Sequence, residues 1–173
     1  MTSLARTIVD IARTCDLPTT LVAAESALSR DLVRRRDWDD VLDQLPRWPG
    51  VNQAQRSLEL ASPHCADPLL SWCRGLFLTL GLPNPLCGVS VSHQEHAVGT
   101  FDFVWPDQAV IVMLDRADAT ADAQLQRLRD LRKQEDIMRM QGYIVLTVTT
   151  HELLHQTRDV VARINSALAR AAA

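Results

Sequence analysis

Cysteine, glycine, aromatic residues and basic charge are all scarce in this 173-residue sequence, and each scarcity excludes something. None of the four cysteines (Cys15, Cys65, Cys73, Cys87) stands in a Cys-x-x-Cys pair, so neither a zinc ribbon nor a dithiol redox motif is written here. They read as reduced, mostly buried thiols. With 5% aromatic residues and one tyrosine, the chain offers no basic–aromatic platform for stacking single-stranded nucleic acid. A formal net charge of −3 provides no global basic field. No apolar run reaches the roughly 18 residues of a membrane-spanning helix, and no signal-peptide pattern opens the sequence. The expectation is a cytoplasmic protein with no membrane partner.

What is present is a 47% apolar composition, enough for a real core in one domain with an appended helical segment. Leu4, Ile8, Ile11 and Cys15 recur at helical spacing, and Pro18 suits the first turn of a second helix carrying Leu21, Ala24 and Leu28. Trp38, Val41, Leu42 and Leu45 mark a third helix, ended by "PRWPG". Val51, Ala54, Leu58 and Ala61 mark a fourth. The Ser/Pro-containing stretch "SPHCADP" sets the expected boundary between a helical segment at 1–62 and a core at 63–173.

Beyond it, Pro68 opens a helix bearing Leu69, Trp72, Cys73, Leu76 and Leu80, and "CGVSVSH" and "GTFDFVW" alternate as a hairpin would. "AVIVML" is continuously apolar, as in a strand buried on both faces. A charged helix over 120–141, the strand "GYIVLTVT" and a last helix with Leu154, Val161, Ile164 and Leu168 follow. The expected fold class is α/β, with the core order helix, three strands, helix, strand, helix. Trp72 and Trp105 sit in apolar patterns and are expected in the core.

Residues 151–155 read "HELLH", the His-Glu-x-x-His pattern in which two histidines on one helical face grip zinc and the glutamate activates water. Only 18 residues follow His155, and they contain no histidine or glutamate to serve as third ligand. The motif reads instead as a helix start, with Thr150 as N-cap and Glu152 in the first turn. No structural zinc is expected. "SHQEHAVG", with His93, Glu95 and His96, reads as a polar hairpin turn. "RRR" at 34–36 and the cations Arg127, Arg129, Arg132, Lys133 and Arg139 offer phosphate contacts. The interleaved acids Asp130, Glu135 and Asp136 favour a salt-laced exposed face.

"DPLLSWCR", "LGLPNP", "GTFDFVWPDQAVIVMLD" and "LRKQEDIMRMQGYIVLTVT", taken together, resemble a family of actinobacterial proteins. These carry a short-patch-repair-endonuclease-like C-terminal domain of the PD-(D/E)XK superfamily, often coupled to an AbiEi-type antitoxin winged helix. "TSLARTIVDIART" is similar to the helical segment that follows the winged helix, so the resemblance covers nearly the whole chain without the winged helix itself. It implies a restriction-endonuclease-like core. Where the family reads S-P-x-E-S-W-x-R, Leu70 takes the glutamate position; where it reads E-x-D-G, the chain has Met113, Leu114, Asp115, Arg116. Leu131 and Arg132 stand where the family has a Glu-Lys pair. Asp102 and Asp115 remain.

Phosphodiester hydrolysis by Mg²⁺ needs clustered hard oxygen ligands, and leucine and methionine offer none. The resemblance therefore implies a degenerate site at Asp102 and Asp115, with no resident metal or other cofactor. It also implies a non-enzymatic binding or regulatory protein in a defence or toxin–antitoxin setting, whose partner is a protein or DNA. Arg132, Lys133 and Arg139 are the candidate nucleic-acid contacts. The alternative is a Mg²⁺-dependent DNA endonuclease that keeps Asp102 and Asp115 and recruits a substitute acid from Asp67, Asp118 or Glu95.

Overall fold

A computed structural model describes residues 2–93, 96–116 and 121–171. The chain is mixed α/β and divides into two compact units, Met1–Gly81 and Leu82–Ala173.

The first unit is helical: α1 (Leu4–Thr14), α2 (Leu17–Ser29), α3 (Arg35–Asp43), α4 (Val51–Glu59) and α5 (Pro68–Thr79). Local chemistry sets their starts. The Ser3 hydroxyl accepts the Arg6 N–H, the Asp16 carboxylate accepts the Thr19 N–H just ahead of Pro18, and the Asp67 carboxylate accepts the Leu69 N–H just ahead of Pro68. Ile8, Val9, Leu21, Ala24, Trp38 and Leu58 form its apolar centre.

The sequence set the boundary near residue 62, but the division falls at Gly81 and Leu82, because α5 packs on α2. At Gly75 a Cβ would lie 2.5 Å from the Cα of Pro18, so only glycine permits this approach. Arg74 donates to the buried Glu25 of α2 and, at 2.7 Å, to the Leu60 carbonyl. Trp72 is half-buried rather than in the core: the face of α5 turned inward carries Leu70, Cys73, Arg74 and Phe77 instead.

The second unit is built on a four-stranded sheet in the order β1 (Leu86–His93), β2 (His96–Trp105), β3 (Val110–Asp115), β4 (Ile144–Thr149). The first three strands are antiparallel neighbours. β4 runs parallel to β3, which requires a crossover, supplied by α6 (Ala121–Met140). Val110 to Leu114 are all buried, as the unbroken apolar run predicts. Phe101, Ile111, Met113, Met138 and Val145 share one cluster, and the Trp105 indole N–H donates to the Pro83 carbonyl at 2.9 Å.

The last helical stretch is two helices, α7 (Thr150–His155) and α8 (Thr157–Ala171), and not one. Gln156 leaves helical geometry between them, and the Thr157 hydroxyl donates to the Leu153 carbonyl at 2.6 Å. Of the four cysteines, Cys65, Cys73 and Cys87 are buried and Cys15 is half-buried. No helix among the described residues is long and apolar enough to cross a membrane.

Candidate functional site

The ladder between β2 and β3 runs from Trp105–Val110 to Phe103–Val112 and stops there. Beyond it the Leu114 N–H has lost its strand partner on that side, and a buried N–H without an acceptor is costly. Asp102 meets the need. Its Oδ2 accepts the Leu114 N–H at 2.7 Å, while Oδ1 lies 3.9 Å from the Arg116 guanidinium. The carboxylate is one-quarter exposed. Asp102 thus sits within β2, not at a strand end or turn, and works as a side-chain rung of the sheet.

Asp115 ends β3. It pairs with Thr149 across the parallel ladder, and its carbonyl accepts the Thr150 hydroxyl at 3.4 Å. Met113 is 2% exposed and belongs to the core cluster with Phe101 and Met138. The fold brings Asp102 to the end of β3 that carries Leu114, Asp115 and Arg116. Leu70 lies in the helical unit, buried on α5, where its N–H faces the Asp67 carboxylate. Asp67 is spent as the cap of α5. Asp118 and Glu95 lie outside the described residues, as do the side chains of His93, His96 and Arg127.

Magnesium asks for near-octahedral oxygen coordination. Oδ2 of Asp102 is committed to a main-chain donor, its Oδ1 faces a guanidinium, and the Met113 position supplies no oxygen. These residues do not fit a divalent cation. Among the described residues no group of three or more His, Cys, Asp or Glu side chains is arranged to hold one.

"HELLH" opens α7. The cap is Thr149, one residue before the Thr150 expected from sequence, since Thr149 still holds extended geometry as the last residue of β4. Its hydroxyl accepts the Glu152 N–H at 3.1 Å, and the Glu152 carboxylate accepts the Thr149 N–H at 2.8 Å, a reciprocal capping box. Arg163 of α8 donates to the other carboxylate oxygen at 2.7 Å. The Thr149 N–H bond foremost, with its hydroxyl and Arg163, holds the Glu152 carboxyl below its ordinary range. Glu152 is thus tied to Thr149, by its N–H and its hydroxyl, and to Arg163, as the acid of a helix cap. His151 and His155 are exposed, one turn apart, with ring centroids 4.5 Å from each other.

Arg132, Lys133 and Arg139 are exposed on α6, and Arg139 is bonded to Glu135 one turn back, the salt-laced pattern read from sequence. In "RRR", Arg35 is committed to main-chain carbonyls at the end of α4, those of Leu58, Glu59 and Ala61. A cation–aromatic cluster escaped the sequence reading. The guanidinium carbons of Arg6 and Arg13 lie 5.1 and 4.9 Å from the Trp48 ring centre, and Asp10 bridges both arginines at 2.9 and 2.8 Å. Arg6, Asp10 and Arg13 at helical spacing were the available signal. Their partner in the α3–α4 loop was not.

No protein-family model, no curated protein and no solved structure matches this chain.

Proposed function

We propose that this chain is a catalytically degenerate, endonuclease-like protein that acts by binding and not by cutting. The observation that carries the reading is the Asp102 carboxylate, bonded to the Leu114 N–H and faced by Arg116. A guanidinium so close supplies the positive charge that a metal would bring to an active site, and it repels an approaching dication. Met113, buried among Phe101 and Met138, gives the same end of β3 an apolar side chain in place of a ligand. The exposed Arg132 and Lys133 on α6 are the surface on which contact with DNA phosphates would be made. The defence or toxin–antitoxin setting, with a protein or DNA partner, follows from the resemblance of the strand and helix motifs.

The test is cleavage of supercoiled and linear DNA by the purified chain with Mg²⁺ and with Mn²⁺, beside an Asp102→Ala variant. Neither protein should cut. Metal-dependent cutting that disappears in the variant would overturn the proposal in favour of a DNA endonuclease with a site remodelled around Asp102 and Asp115.

A further inference from the structure

Helices α3 and α4 of the helical unit do not close on each other. Between them runs an open groove of about 450 Å³. Trp38 and Leu58, both nearly inaccessible, form its floor. Leu42 and Val51, each half-buried against the core, form its apolar walls. The spacing explains this. Trp38 and Leu42 lie one turn apart on α3, and Val51 and Leu58 lie two turns apart on α4, so each helix turns an apolar stripe toward the gap.

The rim has the opposite character. Asp39 and Asp43, one turn apart on α3, and Glu59 on α4 are exposed, and none of the three makes a side-chain hydrogen bond or ion pair with a described residue. The one cation on the rim, Arg35, is held by the carbonyls that end α4. Those carbonyls are neutral, so Arg35 keeps its charge, and the three carboxylates against this one guanidinium leave the rim net acidic beside the accessible apolar walls of Leu42 and Val51. Asp39 and Asp43 on α3 and Glu59 on α4 repel one another, and an approaching cation gains from the acids more than it loses to Arg35.

We infer that this groove docks a basic amphipathic segment of a partner protein, with apolar side chains set between Leu42 and Val51 and Lys or Arg side chains meeting Asp39, Asp43 and Glu59. Shape favours a segment over a compact ligand. Each flanking helix has nine residues, about 13 Å, so walls of that length suit a short helical segment. Charge selects its composition: an acidic or phosphate-rich partner meets three like charges. The groove and the Asp102 region share no residue, so DNA cleavage would sink the proposed function and leave this inference standing.

The probe is a fluorescein-labelled synthetic helix of leucine and lysine, with leucines at helical spacing, beside the same helix carrying glutamate for lysine. Anisotropy should show saturable binding of the lysine helix to the whole chain and none of the glutamate helix. The loss should be about tenfold in an Asp39→Asn/Asp43→Asn/Glu59→Gln variant, and comparable on raising NaCl from about 0.05 to 0.5 M. Val51→Arg, which sets a cation in the groove wall, should abolish binding. All three rim substitutions are at exposed positions, and thermal melts should verify an intact fold. Binding undiminished in both variants, or no binding of the lysine helix at all, would overturn the inference.

Discussion

Asp102 and Leu114 are joined by a 2.7 Å bond from the Leu114 N–H to the Asp102 carboxylate, twelve residues apart and just past the last β2–β3 ladder pair. An acid that looks like a metal ligand in sequence is thereby a structural member of the sheet. Removing it leaves a main-chain donor without its acceptor, at a cost of about 1–3 kcal/mol. Asp102→Ala should lower unfolding stability by that amount in urea titration with no metal present. Asp102→Asn, whose amide oxygen can still accept the bond, should recover most of the loss. Equal losses in the two variants would point to the negative charge, and not the bond, as the contribution of Asp102.

The division at Gly81 makes a prediction about fragments. A chain of residues 1–81 contains α5 and with it Gly75 against Pro18 and Arg74 on Glu25. It should unfold cooperatively, while residues 1–62 should not, because α2 then exposes its apolar face and keeps a carboxylate with no cation. Circular dichroism melts of the two fragments decide the matter. A cooperative 1–62 fragment would show that α5 is dispensable to the helical unit.

Much of this architecture is legible in the sequence where the determining contacts are local. Asp16 with Pro18 and Asp67 with Pro68 announce helix starts because a cap bonds within three residues. The run Val110–Leu114 announces a buried strand because both its faces are covered. What was not legible depends on distant partners. α5 joins the helical unit through Glu25–Arg74, 49 residues apart, and helical periodicity shows which face is apolar without showing which helix covers it. Trp72 fits the apolar pattern of α5 yet falls on its flank. The role of Asp102 turns on where a ladder stops, and an aspartate holding an N–H reads in sequence like one that would hold a metal.

The start of α7 predicts an acid-sensitive contribution. The Glu152 carboxyl is held below its ordinary 4.5, first by the Thr149 N–H. A depressed folded value means that the unfolded chain binds the proton more readily, so this contribution is complete above about pH 4.5 and is lost as pH falls through the folded value. Glu152→Gln should therefore flatten the acid side of the stability profile, and Thr149→Ala should cost about 1 kcal/mol at neutral pH. Adding EDTA should leave the melting temperature unchanged, and elemental assay should find far less than one zinc per chain. One zinc held through gel filtration would revive the metalloprotease reading of "HELLH".

Glu25 and Arg74 give the sharpest test of the helical core. Both side chains are buried, and Glu25 also accepts the Ser62 N–H at 2.9 Å. Burial pushes the Glu25 carboxyl above its ordinary 4.5, against the lowering effects of the neighbouring Ser71 hydroxyl and the Arg74 charge. For a carboxyl raised in this way the folded chain binds more protons than the unfolded one, so stability falls as pH climbs from 4.5 through the raised folded value. Arg74→Met removes the compensating cation. It should destabilise by about 3–5 kcal/mol at neutral pH, because an unpaired carboxylate stays buried. The same variant should lose stability more steeply than the parent as pH rises. Glu25→Leu with Arg74→Met removes both charges, and the double variant should be less destabilised than the two singles summed, by about 2 kcal/mol. Urea unfolding of the four proteins at two pH values measures both effects. Additive losses would mean that the two side chains contribute through packing alone and that their charges are not coupled.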